Sequence, residues 1–291
     1  MLLATSAYAQ PDITVTHPNA DIFIHSWDEN EATVSVTGRD GLSIRGLTKD
    51  SFLVMLGEQS SNVRSIDTVQ LRDAKALGLS FVLDNSASIF HGYDSITKYL
   101  DTFVKGIPGD VLLSAYTFDD EDRSRMHEAT RRGDVFIAPS GPTSDRDSIS
   151  RFWHFYDSIR SDFTPLYDQV GLALWNIKRQ CERGDTNRLN IVVVISDGVD
   201  NASRTSIEDL LDHVLVSDVR LFVLTYRSEP DRRLSWLSSR ARGTSATLQS
   251  LPALATTLEE LRGELMTVYR IKYAPDRSKR RDLPKSLRLA K

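Results

Sequence analysis

The run Leu189-Asn190-Ile191-Val192-Val193-Val194-Ile195 constrains the fold more than any other stretch of this chain. A strand with one wet face alternates apolar and polar residues. This run does not, so both of its faces have to be covered. It is also too short for a typical buried helix, which leaves a strand inside a parallel sheet. Leu77-Gly78-Leu79-Ser80-Phe81-Val82-Leu83 has the same texture, and 111–118 and 219–224 read as further strands. Helical spacing over 96–104, 151–159, 166–177 and 207–216 fills the connections. A last helix over 254–268 is expected before a closing strand, Tyr269-Arg270-Ile271-Lys272-Tyr273. Strands alternating with helices predict a doubly wound α/β domain over residues 76–273, its mainly parallel sheet flanked by helices on both faces.

The preceding residues, 10–75, have a different rhythm. Ala32-Thr33-Val34-Ser35-Val36-Thr37 alternates with period two, Gly38-Arg39-Asp40-Gly41 is a turn signal, and Ser51-Phe52-Leu53-Val54-Met55-Leu56 is a second strand. Several short strands at this spacing suggest a small β-sandwich-like region. Residues 1–9 read as the remnant of a secretory signal, with Ala7-Tyr8-Ala9 as the cleavage signature ahead of Gln10-Pro11. The basic start and most of the apolar core of such a signal are missing, so either the chain begins late or the match is chance. The expectation is export, to a bacterial periplasm or exterior.

Charge narrows the partners. Residues 276–291 hold seven Lys or Arg against two Asp, a balance of +5, which leaves −9 on the rest of a chain whose net charge is −4. An acidic body argues against nucleic acid as the main partner. The basic tail, 274–291, reads as a solvated end rather than a surface for anions. No apolar run approaches the ~20 residues of a membrane helix, so no membrane span is expected. Cys181 is the single cysteine, which excludes an internal disulfide and any thiolate-rich metal site; it is expected to be a buried structural thiol.

In parallel sheets ligands bind beyond the carboxyl ends of the strands. Three strands here finish in an acid on what should be one edge: Leu83-Asp84, Phe118-Asp119 and Ile195-Ser196-Asp197. Asp84-Asn85-Ser86-Ala87-Ser88 places oxygen groups at alternate positions, so one tight loop can turn all three towards a point. Oxygen donors suit a hard cation such as Mg2+, and the six histidines show no ligand-like clustering that would suit a softer one. The plainer alternative is that Ser86 and Ser88 cap the next helix. Thr164, ahead of Pro165 at a first helical position, reads as a plain N-cap.

These residues resemble the von Willebrand factor A (VWA) family, including bacterial members with a β-rich lead-in. Phe81 to Ser88 is similar to that family's DxSxS motif, Thr164-Pro165-Leu166-Tyr167-Asp168 to its second element, and Ile195-Ser196-Asp197-Gly198 to its third. The resemblance covers about residues 76–273. It implies a metal-ion-dependent adhesion site, or MIDAS. Ser86, Ser88 and Thr164 would be direct ligands there, and Asp84 and Asp197 would hold the ion mostly through water. The implied ion is Mg2+, with Mn2+ or Ca2+ as substitutes. The implied partner is a protein that supplies an acidic side chain, and the implied role is adhesion rather than catalysis.

Two acidic positions flank this set. Asp119 opens the cluster Asp119-Asp120-Glu121-Asp122, which either borders the site, binds a second cation or is a solvated loop. Asp200 either supports Asp197 or turns the chain with Asn201. Two other functions compete. A Mg2+-dependent phosphatase of the haloacid dehalogenase type also places an Asp after its first strand, but it needs an acid where this chain has Ser86. A metal-independent structural VWA module is the other.

Overall fold

A computed structural model describes residues 10–18, 20–38, 43–69, 76–86, 88–118, 142–156, 164–182, 188–216, 219–266 and 268–275. The strands are β1 (Asp12–Val15), β2 (Asp21–Trp27), β3 (Glu31–Thr37), β4 (Phe52–Leu56), β5 (Gln59–Val69), β6 (Ala76–Asp84), β7 (Leu112–Phe118), β8 (Arg188–Ser196), β9 (Val219–Tyr226), β10 (Ser245–Leu248) and β11 (Val268–Pro275). The helices are α1 (Phe90–Lys105), α2 (Arg146–Tyr156), α3 (Leu166–Glu182), α4 (Ile207–Val216), α5 (Arg232–Arg240) and α6 (Leu251–Met266). They fall into two compact units, Lys75–Gly263 and Met1–Ala74 with Glu264–Lys291.

The larger unit is an α/β layer structure. Its sheet has the order β10-β9-β8-β6-β7, and every pairing is parallel. The apolar runs in β6 and β8 are buried on both faces, as their lack of alternation requires. Val82, Val192 and Val194 pack with Leu174, Leu210 and Leu237, so α3, α4 and α5 cover one face. On the other face Phe81 meets the rings of Phe103 in α1 and Trp153 in α2 edge-on, at 6.0 and 5.8 Å. Aromatic pairs favour that tilted geometry.

Strand order then decides where chemistry collects. From β6 the chain passes outwards to β7, then returns across β6 to form β8 on its other side. The loop after β6 leads to α1 on one face, and the loop after β8 leads to α4 on the opposite face. Loops that diverge in this way leave a crevice between the ends of β6 and β8.

The smaller unit corrects two expectations. Instead of a β-sandwich, its strands form one six-stranded antiparallel sheet, β1-β4-β5-β11-β3-β2. The edge strands β1 and β2 approach within 8 Å (Cα–Cα), so the sheet curls around a core of Val34, Val54, Ile271 and Tyr273. A curled sheet buries one face without needing a second sheet. The closing strand, expected within 76–273, hydrogen-bonds here as β11 between β5 and β3. Its pattern explains this: Tyr269, Ile271 and Tyr273 are buried, Arg270 is half-buried and Lys272 is exposed, which suits a one-faced antiparallel sheet.

The expected signal remnant (1–9), the Asp119 cluster, the tail beyond Pro275 and the Cys181 side chain lie outside the described residues. No helix among the described residues is long and apolar enough to cross a membrane.

Candidate functional site

Asp84 closes β6 with its side chain in the crevice, and the residue is only 1% exposed. One carboxylate oxygen, Oδ1, accepts from the Ser86 N–H at 2.8 Å. The other, Oδ2, accepts from Ser196 Oγ at 2.7 Å and from the Asp197 N–H at 3.3 Å. Burial pushes the Asp84 pKa up, the hydrogen bonds from Ser196 and Ser86 oppose that rise, and the Asp197 charge adds to it. Neither Asp84 nor Asp197 has a Lys or Arg ion-pair partner among the described residues. A buried carboxylate beside a second one, with no cation, is electrostatically incomplete.

The hydroxyls complete the set. Ser86 Oγ and Ser88 Oγ lie 2.8 Å apart. The capping alternative fails for both: the residue that caps α1 is Ile89, with no side-chain cap bond. At α3 the first-turn N–H groups are satisfied from elsewhere. Asp200 Oδ1 accepts from the Tyr167 N–H at 3.2 Å, and Ser203 Oγ accepts from the Asp168 N–H at 3.0 Å. Thr164 is 4% exposed, and its hydroxyl makes no hydrogen bond to another described residue. The candidate hydroxyls are thus withheld from the capping work that residues of their type usually do.

Thr164 is tied to the loop that begins at Asp197. Its N–H donates to Asn201 Oδ1 at 2.7 Å, and its carbonyl accepts from the Asn201 N–H at 3.2 Å. Asp168 adds a second tie, accepting from the N–H groups of Arg204 and Thr205 at 3.1 and 2.8 Å. Burial works against its charge, but the bonds from Thr205 and Arg204 prevail and hold the Asp168 carboxyl below its ordinary pKa. Asp197 Oδ1 accepts from the Val199 N–H at 3.1 Å, and Gly198 turns the chain with a φ of +84°. A Cβ at Gly198 would sit 3.0 Å from Thr225 Cγ2 and 3.2 Å from the Glu229 carbonyl, so both the conformation and the space favour glycine.

Asp84, Ser86, Ser88 and Asp197 therefore share one hydrogen-bonded loop cluster, and Thr164 joins it through Asn201. Asp200, one of the flanking acids, binds α3 and Ser203 rather than Asp197. Ser196 and Asp168 were not expected. Ser196 could have been read from Ser-Asp-Gly at a strand end, whereas Asp168 gives no local signal because its partners lie 36 and 37 residues away. No group of three or more His, Cys, Asp or Glu side chains set to hold a metal exists among the described residues, so a cation here would depend on the hydroxyls.

No protein-family model and no curated protein matches the sequence. Solved structures do match. A von Willebrand factor type A protein from Catenulispora acidiphila is 11% identical, with a TM-score of 0.50, over 89% of this chain and 50% of that one. The pilus adhesin SpaC from Lactobacillus rhamnosus GG is 9% identical, with a TM-score of 0.50, over 85% and 34%. Proximal thread matrix protein 1 from the mussel byssus, with a zinc-occupied MIDAS motif, is 15% identical, with a TM-score of 0.46, over 70% and 49%. The chain spans about half or less of the length of each. At these identities the likeness speaks to fold alone, and the fold is one shared with the von Willebrand factor type A protein.

Proposed function

We propose that this chain is a non-catalytic, divalent-metal-dependent protein-binding module. Ser86, Ser88 and Thr164 give hydroxyl ligands, while Asp84 and Asp197 hold the ion through its water. Mg2+ is the first candidate, because an all-oxygen set with retained water suits it; Mn2+ or Ca2+ can substitute. Neutral hydroxyls leave the ion's charge only partly offset, so it attracts an acidic side chain of a partner. One observation carries this proposal: the hydroxyls beside the unpaired Asp84 carboxylate are not used for helix capping. Asp119 would border the site, and Asp200 would act behind it, on α3 and Ser203 rather than on a ligand. The fold shared with a pilus adhesin supports an interaction role outside the cytoplasm, in the periplasm or at the cell exterior.

Calorimetric titration of Mg2+ or Mn2+ into the purified chain tests the proposal. Ser86→Ala and Thr164→Ala are each expected to weaken binding by about tenfold or more, since even outer-shell losses cost about 10–100-fold. A wild type that binds neither ion rejects it. Turnover of an aryl phosphate that Asp84→Asn abolishes would instead establish the phosphatase alternative.

A further inference from the structure

The carboxyl edge of the sheet carries one more unusual residue. Arg227 follows β9, the strand next to β8, with Thr225 beside Ser196 in register. Adjacent strands are spaced about 5 Å apart, so the end of β9 lies one to two strand spacings from the Asp197 loop. The connection is direct: Ser228 Oγ donates to the Asp197 carbonyl. Arg227 itself has a φ of +63°, a left-handed conformation that few residues of its bulk adopt. Its N–H donates to the Leu248 carbonyl at 3.1 Å, and Thr225 Oγ1 donates to the Ser228 carbonyl at 2.7 Å. These bonds hold the bend.

Left-handed backbone alone is not a mark of function here. Arg242 has a φ of +55°, but it sits at the C-terminal end of α5, where such a residue is ordinary. Arg227 differs in what its side chain does. The guanidinium lies over the Tyr226 ring, 4.8 Å from its centroid. The residue is exposed, and no acid pairs with it among the described residues. A stacked guanidinium keeps its planar fork of donors free and oriented, ready for a carboxylate. Val199, whose N–H donates to Asp197 Oδ1, is 52% exposed and offers an apolar surface on this loop.

We propose that Arg227, stacked on Tyr226, is a second anchor beside the cation, so that the partner is an extended acidic segment with two carboxylates two residues apart. This rests on the metal-dependent reading above. The first carboxylate meets the ion, the residue between lies against Val199, and the second meets Arg227. In an extended segment, residues i and i+2 project on one side about 7 Å apart, which matches one to two strand spacings. Charge points the same way: the chain outside the basic tail is net acidic, yet this edge would present two adjacent positive centres.

The test is a titration of the full chain, in Mg2+ and in chelator, with two synthetic peptides, Gly-Asp-Ala-Asp-Gly and Gly-Asp-Ala-Asn-Gly. In Mg2+ the two-acid peptide is expected to bind roughly fivefold tighter, the upper end for an exposed ion pair. Arg227→Gln should make the two peptides equal, without changing affinity for Mg2+ or for the one-acid peptide. Arg227→Gly should do the same without lowering Tm, because glycine accepts the positive φ; that separates lost recognition from misfolding. Equal Mg2+-dependent binding of both peptides to the wild type overturns the second anchor and leaves the metal reading standing. A preference that survives Arg227→Gln also overturns it. If neither peptide binds in Mg2+, the anchor falls together with the metal reading beneath it.

Discussion

The two sheets handle acidic residues in opposite ways. In the antiparallel sheet the β2–β3 turn, Asp28-Glu29-Asn30-Glu31, shares a cleft with Arg64 and Lys272, and Arg270 pairs with Glu31 at 3.2 Å. There Glu31 has an ion-pair partner, and the neighbouring acids share their cleft with cationic side chains. At the carboxyl edge of the parallel sheet, Asp84 and Asp197 have hydroxyl and N–H donors but no cationic side-chain partner among the described residues. Topology explains the contrast. Antiparallel strands scatter their ends over both edges, whereas parallel strands bring every carboxyl end to one edge, where charges accumulate. The imbalance is therefore built in by the direction of the chain.

The sharpest way to break this comparison is to damage each sheet in turn. Phe81→Ala, in the doubly covered β6, should cost about 3–5 kcal/mol in thermal or denaturant unfolding and weaken Mg2+ binding, because the same strand carries Asp84. Phe52→Ala removes a ring, 6% exposed, that packs against Tyr269 in the other sheet. It should destabilise towards the low end of that range and leave Mg2+ affinity unchanged. Equal loss of metal binding in both variants would mean that the site is not confined to the parallel sheet.

Two glycines give a smaller contrast. Gly57 has a φ of +62° but open space around a new Cβ, so Gly57→Ala should cost only the left-handed strain, about 1 kcal/mol. Gly198→Ala adds the approach to Thr225 and Glu229, so its cost should reach about 2 kcal/mol or more, with a fall in metal affinity. Matched Tm losses would show that the loop after β8 yields easily.

The smallest effect is a pH dependence at Asp168. Its folded pKa is held below the ordinary value, so the ionised form stabilises the fold. That contribution is full above the unfolded value near 3.8 and is lost as pH falls through the lower folded value. Asp168→Ala should therefore melt lower than wild type at neutral pH, with the gap closing in that acidic window. Because the group is partly exposed, a difference of no more than about 2–4 °C is expected, what ~1 kcal/mol gives in a domain of this size.

The parallel sheet was legible because burial on both faces leaves a continuous apolar run, seen at Leu189–Ile195 and recovered as β8. The same principle, applied to 269–273, should have separated that strand from the rest, since its apolar and charged residues alternate. Strand order is carried by contacts far apart in sequence, so the switch point between β6 and β8 could not be seen in either strand. At the site, Asp84, Ser86 and Asp197 stand out because strand ends and turn residues coincide. The ties through Asp168 and Asp200 were hidden, because each joins segments more than 30 residues apart.

The most direct measurement is calorimetric titration of Mg2+ into three proteins: wild type, Asp84→Ala and Asp28→Ala. The predicted result is one binding event in the wild type, unchanged in Asp28→Ala and absent in Asp84→Ala. Binding that survives in Asp84→Ala, or disappears in Asp28→Ala, would contradict a metal site at the edge of the parallel sheet.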